Sequence, residues 1–426
     1  MPTILIKAGR VVSPEDGLDA KGDILVEGGR IRQIAPHIDA HADHTIDARG
    51  QIVSPGFIDI HVHLREPGGE ISETLETGLA AAAAGGFTAV CPMPNTRPVN
   101  DSPELTRFLV QRASEIGMAR VFPIAAVSEG NDGERLADFA ALSSSGAVAF
   151  SDDGRPVRTA GLMLEAMRQA QSLGLPIIDH CEDPTLSAGG AVNAGPVASG
   201  LGLKGIPNLS EDVCVARDLI LAQAAGAHLH VAHLSTSGSL ELVRAAKRRG
   251  TRVTCEVTPH HFTLTDDAVT RFGTHAKMNP PLRSAADVEA LRAGLADGTV
   301  DAIATDHAPH APQLKARPLP DAPFGITGLE TALPLCLMQL VETGRISLSR
   351  LIVLLSTQPA RIINQPLGRI HPGALADLTV FDSACQWTYR ADEGHSKSRN
   401  TPFDGWTFTG AVTATIVDGK VVYRRD

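Results

Sequence analysis

A chain of 426 residues exceeds what one ordinary core organises, so a large domain with a smaller companion, or a barrel with an addition, is expected. With 43% apolar and 20% charged residues the composition is that of a soluble globular protein, and a formal net charge of −10 gives no basic footprint for nucleic acid. No apolar run of about 18 residues occurs, and the opening MPTILIKAGRVVSPEDG lacks the order of a signal peptide, so a cytoplasmic protein without a membrane partner is expected.

In chain order, alternating segments at Ile4 to Ile6, Asp23 to Glu27 and Arg30 to Ile34 predict short strands, with Gly28-Gly29 as a tight hairpin. The next segment, Phe57 to Leu64, is an apolar strand pattern that carries His61 and His63. Side chains two apart on a strand share a face, so these histidines are placed to hold one metal ion. Apolar runs then alternate with alanine- and leucine-rich helical windows: Glu73 to Ala84 before Thr88 to Cys91, Leu162 to Ser172 before Pro176 to Asp179, and Ser237 to Arg249 before Arg252 to Val257. Sustained strand and helix alternation predicts a parallel α/β architecture, a (β/α)8 TIM-like barrel. The chain ends in further β pattern at Ala376 to Phe381, Ala411 to Val417 and Lys420 to Tyr423, with Asp418-Gly419 as the turn. Residues 1–54 and 366–426 are therefore expected to form one small β-sandwich beside a barrel spanning 55–365. Cys91, Cys181, Cys214, Cys255, Cys336 and Cys385 show no CxxC spacing and read as reduced, buried thiols.

Barrel active sites assemble at the C-terminal ends of strands, and polar residues fall there in succession. His180 follows Leu175 to Asp179, His233 follows Leu229 to Ala232, and Asp306 follows Val300 to Thr305, with His307 and His310 just beyond. Ala147 to Phe150 ends in Ser151-Asp152-Asp153-Gly154. Histidine and carboxylate donors without cysteine suit zinc or a similar divalent ion in a catalytic site.

The segments PGFIDIHVHLREPG at 55 to 68, MPNT at 93 to 96, SDDG at 151 to 154, DHCED at 179 to 183, AHLS at 232 to 235, TPHH at 258 to 261, KMNPP at 277 to 281 and ATDHAPH at 304 to 310 together resemble the dihydroorotases of the amidohydrolase superfamily. The resemblance covers nearly the whole chain. It implies metal-dependent, reversible cyclisation of N-carbamoyl-L-aspartate to L-dihydroorotate in pyrimidine biosynthesis. It also implies that His61, His63 and Asp306 bind the more buried metal, that His180 and His233 bind a second, and that Asp153 bridges them, with zinc as the ion and two per subunit expected. Many relatives bridge with a carboxylated lysine, but no lysine lies between Lys21 and Lys204 here, so an aspartate must serve. Asp152 is the competing candidate, its other role being to hold the following turn.

By the same resemblance Asp306 is the catalytic proton carrier. Arg65, Asn95 and His310 would hold the substrate carboxylate, with Arg65 expected on the strand face of His63, while Asn279 and the backbone at Phe324 and Gly325 would read the ring edge. His260 and His307 stay outside the metal set. The proline-rich stretch from 308 to 327 has no regular period and is expected to be a lid, although Gln313, Leu314, Lys315, Ala316 and Arg317 stand where relatives carry acidic residues. Rival readings are an allantoinase, hydantoinase or dihydropyrimidinase, and a non-catalytic scaffold for aspartate transcarbamoylase. Association with that enzyme is compatible with activity, and a homodimer is the default assembly.

Overall fold

The computed structural model describes residues 2–425 and combines a parallel β/α barrel with a mixed sheet made from both chain ends. The barrel strands are short: Phe57–Val62, Phe87–Pro92, Arg120–Val121, Ile124–Ala125, Ala149–Phe150, Ile177–Asp179, Leu229–Val231, Val253–Val257 and Ala302–Ile303. All their pairings are parallel. Arg120–Val121 and Ile124–Ala125 form one position interrupted at Phe122-Pro123, where Phe122 N donates to Val90 O at 3.0 Å and Val148 N to Pro123 O at 3.0 Å. The ring closes through a parallel bridge between Val62 and His307, with His63 N donating to His307 O at 2.8 Å.

Local chemistry sets the helix ends. Ser102, Thr159, Thr236 and Ser284 each accept from a first-turn amide, a contribution of about 1 kcal/mol per cap, and Gly117, Gly174 and Gly226 end their helices in the left-handed region. The alanine run lies in the helix Leu75–Ala84, where Ala81, Ala82 and Ala83 are fully buried.

The two chain ends share one sheet. Leu378–Thr388 pairs antiparallel with Ile52–Pro55 and with Thr407–Val417, while Ile4–Ser13 pairs with Leu18–Glu27, His44–Asp47 and Ile52–Pro55. It folds as a small β-sandwich over a core that includes Ile4, Ile24, Val26, Val53, Val380 and Ile416. Its seam with the barrel is polar and close. Thr379 Oγ1 donates to Gly86 O at 2.6 Å, Thr415 Oγ1 to Ala83 O at 2.6 Å, and Arg120 Nε to Asp377 Oδ2 at 2.7 Å. Gly86 has φ +85°, and a Cβ there would stand 2.7 Å from Thr379 Cγ2, so both backbone angle and contact require glycine.

Candidate active site

The strand Phe57–Val62 stops before Arg65, which has φ +62° and lies in the turn beyond it. Arg65 is therefore not on a strand face with His63, as the spacing alone suggested; the left-handed turn aims it into the barrel mouth instead. There His63, Arg65, Asn95, Asp153, His180, His233, Asn279, Asp306, His310, Phe324 and Gly325 line one pocket of ≈ 190 Å³. His61 is fully buried at its floor. Of the non-glycine residues with positive φ, Arg65, His233 (+28°) and Asp306 (+48°) all belong to this site, each at a cost of about 1–3 kcal/mol that the surrounding fold must hold.

The imidazoles are oriented from behind. His61 Nδ1 lies 2.9 Å from Glu256 Oε1, and a carboxylate only accepts, so Nδ1 carries a proton and Nε2 is the nitrogen left to face a metal. That Nε2 is buried without a hydrogen-bond partner, 3.4 Å from Asp153 Oδ1 and 3.6 Å from Asp306 Oδ1. His63 Nδ1 pairs with Asn95 Oδ1 at 3.0 Å, which leaves Nε2 facing Asp306 Oδ1 at 3.1 Å and Asp153 Oδ2 at 3.6 Å. His180 Nδ1 is 2.8 Å from His233 Nε2 and 3.6 Å from Asp153 Oδ1. Asn95 Nδ2 donates to Asp153 Oδ2 at 3.1 Å, so one amide fixes both a histidine and a carboxylate.

Charge in this centre is unbalanced toward carboxylate. Burial alone would raise Asp153, yet His180, His233 and His61 hold it well below the ordinary range; Asp306 is lowered against burial by His63, His61 and His233. Conversely His61 is raised against burial by Asp153, Glu256 and Asp306, and His180 is raised to about 10 by Asp153 and Glu182. The donors thus call for positive charge, and a divalent cation fits both that demand and the unpartnered His61 Nε2. His61, His63 and Asp306 form one donor group tight enough for an ion, and His61, Asp153 and His233 another.

Asp152 turns away from this centre. Its Oδ1 accepts from Val127 N at 2.9 Å and Ser128 N at 3.0 Å, so it braces a neighbouring loop while Asp153 faces the histidines. His307 also faces away, with Nε2 3.3 Å from Glu73 Oε2 and Nδ1 accepting from Gly328 N at 3.1 Å. His260 is buried, and burial lowers it to about 4.

The 308–327 segment is docked rather than free of structure. It contains a short helix, Pro312–Lys315, and its carbonyls are gathered by two lysines. Lys277 Nζ donates to Leu319 O, Pro320 O and Ala322 O at 2.6–2.9 Å, and Lys315 Nζ to Lys277 O, Pro323 O and Gly325 O at 2.9–3.3 Å. Lys315, one of the residues standing where relatives carry acidic ones, is an internal staple with 3% of its surface exposed. Arg65 Nε donates to Pro309 O at 3.1 Å, and His310 Nε2 to Phe324 O at 2.7 Å.

A family model described as "Dihydro-orotase-like" matches residues 50–239. A curated dihydroorotase of Syntrophus aciditrophicus is 50% identical over 99% of this chain and 100% of its own, and one of Syntrophotalea carbinolica is 51% identical over 99% of each. The chain belongs to the dihydroorotase family. Among solved structures, the L-hydantoinase of Arthrobacter aurescens matches with a TM-score of 0.89 at 29% identity, covering 100% of this chain and 96% of that one. Hydantoinases are thus relatives in fold at 29% identity, and the likeness at about half of all positions is to dihydroorotases.

Three supporting residues are given no role by the motifs, Glu182 among them although it lies within the DHCED segment. Glu256, a carboxylate inside the apolar strand Val253–Val257, had a signal in its misfit polarity. Glu182 accepts from Asn279 Nδ2 at 2.7 Å and stands 3.6 Å from His180 Nε2. Asn400 reaches the loop from the distant C-terminal segment, donating to Ala308 O and Gly325 O at 3.0 Å and accepting from His310 N at 3.0 Å; nothing in its sequence context points there.

Proposed function

We propose that this dihydroorotase interconverts N-carbamoyl-L-aspartate and L-dihydroorotate in pyrimidine biosynthesis, with zinc held by His61, His63 and Asp306 and by His180 and His233, and Asp153 shared between the two positions. The observation that carries the reading is the convergence of these six side chains with Arg65, Asn95 and His310 on one pocket. Bound divalent ions would lower the pKa of water and polarise the amide carbonyl.

The chain's own groups supply the rest. Asp306 Oδ1 lies among the histidine nitrogens at the pocket floor, where it can take a proton from the attacking water and return it to the departing ring nitrogen. The Arg65 guanidinium, half-buried at the mouth, offers a planar fork to the substrate carboxylate beside Asn95 and His310. Asn279 Oδ1, buried without a partner, is available to a ring N–H, and the backbone at Phe324 and Gly325 borders the same edge. The docked 308–327 segment shields this ring edge from water.

Metal analysis of the purified protein, with ring opening of dihydroorotate measured beside hydantoin, dihydrouracil and allantoin, tests the proposal. Bound zinc with turnover confined to dihydroorotate is expected. Preference for another cyclic amide would undo the roles given to Arg65, Asn95 and His310. Inactivity after zinc reconstitution would favour a scaffold for aspartate transcarbamoylase. We further infer a cytoplasmic homodimer, which sedimentation of the purified protein checks.

A further inference from the structure

Two of the scattered cysteines meet in space. Asp179 and Cys181 flank His180 and turn to the opposite side of the chain from its ring, toward the helix Asn208–Ala225. That helix presents Cys214 and Asp218, four residues apart on one face. The four donor atoms lie within 4.8 Å of one another, and the four residues are 0–4% exposed.

The sulfur–oxygen distances of this group suit a closed coordination shell. Cys181 Sγ is 3.4 Å from Asp179 Oδ2 and 3.8 Å from Asp218 Oδ2; Cys214 Sγ is 3.9 Å and 3.5 Å from the same two oxygens. Zinc–sulfur bonds of about 2.3 Å and zinc–oxygen bonds of about 2.0 Å at a tetrahedral angle put sulfur and oxygen about 3.5 Å apart. All four observed edges fall within a few tenths of an ångström of that value. One cation at the centre would meet all four sulfur–oxygen edges at once. Arg217 stands outside the group, with Nε 2.8 Å from Asp218 Oδ1 and Nη2 3.1 Å from Asp218 Oδ2 and 3.5 Å from Cys214 Sγ, and Nη1 donates to Val157 O at 2.8 Å. Of the two carboxylates Arg217 meets Asp218 alone, so if both thiols gave up their protons on binding, a divalent ion would offset the charge that remained.

We propose that Asp179, Cys181, Cys214 and Asp218 form a second, structural metal site for a thiolate-preferring divalent cation such as zinc. Four protein donors leave no open position, so the ion does no chemistry. Its effect is to tie the Asp179-His180-Cys181 segment to the helix behind it and thereby hold His180 from the side opposite the pocket.

The catalytic centre offers only nitrogen and oxygen donors, so thiolate-specific spectroscopy reads the new site alone. Protein produced in cobalt-containing medium should show the thiolate-to-cobalt charge-transfer band in the near ultraviolet. It should also carry one more equivalent of metal than the double variant Cys181→Ser/Cys214→Ser, in which the band is lost, and the band should weaken in Cys214→Ser. Absence of the band in the unaltered protein, or equal metal content in the unaltered protein and the double variant, overturns the proposal. A band of undiminished intensity in Cys214→Ser overturns it too, since Cys214 would then contribute no thiolate. If these variants do not fold, cadmium-113 NMR of the unaltered protein decides: a resonance in the thiolate region supports the site, and resonances only in the nitrogen and oxygen region sink it.

Discussion

Glu256 joins the barrel interior to the active-site floor, since its two oxygens meet His61 Nδ1 at 2.9 Å and His230 Nε2 at 3.2 Å. Burial would raise this carboxyl, but His230 and His61 hold it at about 2, so it stays an acceptor and holds the proton on His61 Nδ1, with Nε2 left to face a metal. Glu256→Gln should lower metal affinity or kcat/KM by about 10–100-fold with little change in fold, as removal of such orienting partners does. Metal titration beside circular dichroism checks this, and unaltered affinity would remove Glu256 from the site. Asn95→Ala should cost a comparable factor, because it releases His63 and Asp153 together; a rise in KM with unchanged metal content would instead limit Asn95 to substrate contact. At this scale the sequence was most informative about first contacts. His61, His63, Asp153 and Asp306 sit in local patterns, whereas Glu256 is 195 residues from the ring it orients, and no spacing rule spans that distance.

Among the elements, the 308–327 segment behaves as a backbone whose carbonyls need donors from elsewhere. Asn400→Ala would leave Ala308 O, Gly325 O and His310 N without that partner, at about 1–3 kcal/mol for each group left unsatisfied. The expected outcome is faster proteolytic cleavage within 308–327 and a raised KM; unchanged cleavage would show that the two lysines suffice. Burial, and then the Lys277 ammonium, push Lys315 down to about 7, with His275 and His310 the other titratable groups close by. Undocked, this lysine would titrate near its ordinary value of about 10.4, so between about pH 7 and 10 the docked form binds fewer protons. Docking should therefore strengthen as pH rises through that window and weaken as pH falls through about 7. Protease protection of the loop measured from pH 6 to 10 should follow this slope, and Lys315→Met should flatten it. Strands and helices of the barrel were legible because burial period and caps are local. The docking of this loop was not, since it depends on which way Lys315 turns.

In the whole molecule, Arg120 couples barrel and end sheet by pairing with Asp377, which also accepts from Asp418 N at 2.7 Å. Arg120→Ala leaves that buried carboxylate short of donors, so a loss of about 1–3 kcal/mol is expected, read as a lower and broader calorimetric transition. The pairing of the chain's two ends was visible as matching β pattern, but the antiparallel register of Leu378–Thr388 on Ile52–Pro55 comes only from the folded seam.

That register sets a schedule for synthesis. Ser54 and Thr379 lie on neighbouring strands yet are 325 residues apart in the chain, so at about 5–20 residues per second the ribosome needs on the order of 15–65 s to deliver the partner. Until then Ile52–Pro55 has an unfilled edge, open to pairing with a neighbouring nascent chain. Slowed translation of the barrel region should accordingly raise the insoluble fraction of newly made protein, a dependence on tempo rather than on the stability of the finished fold.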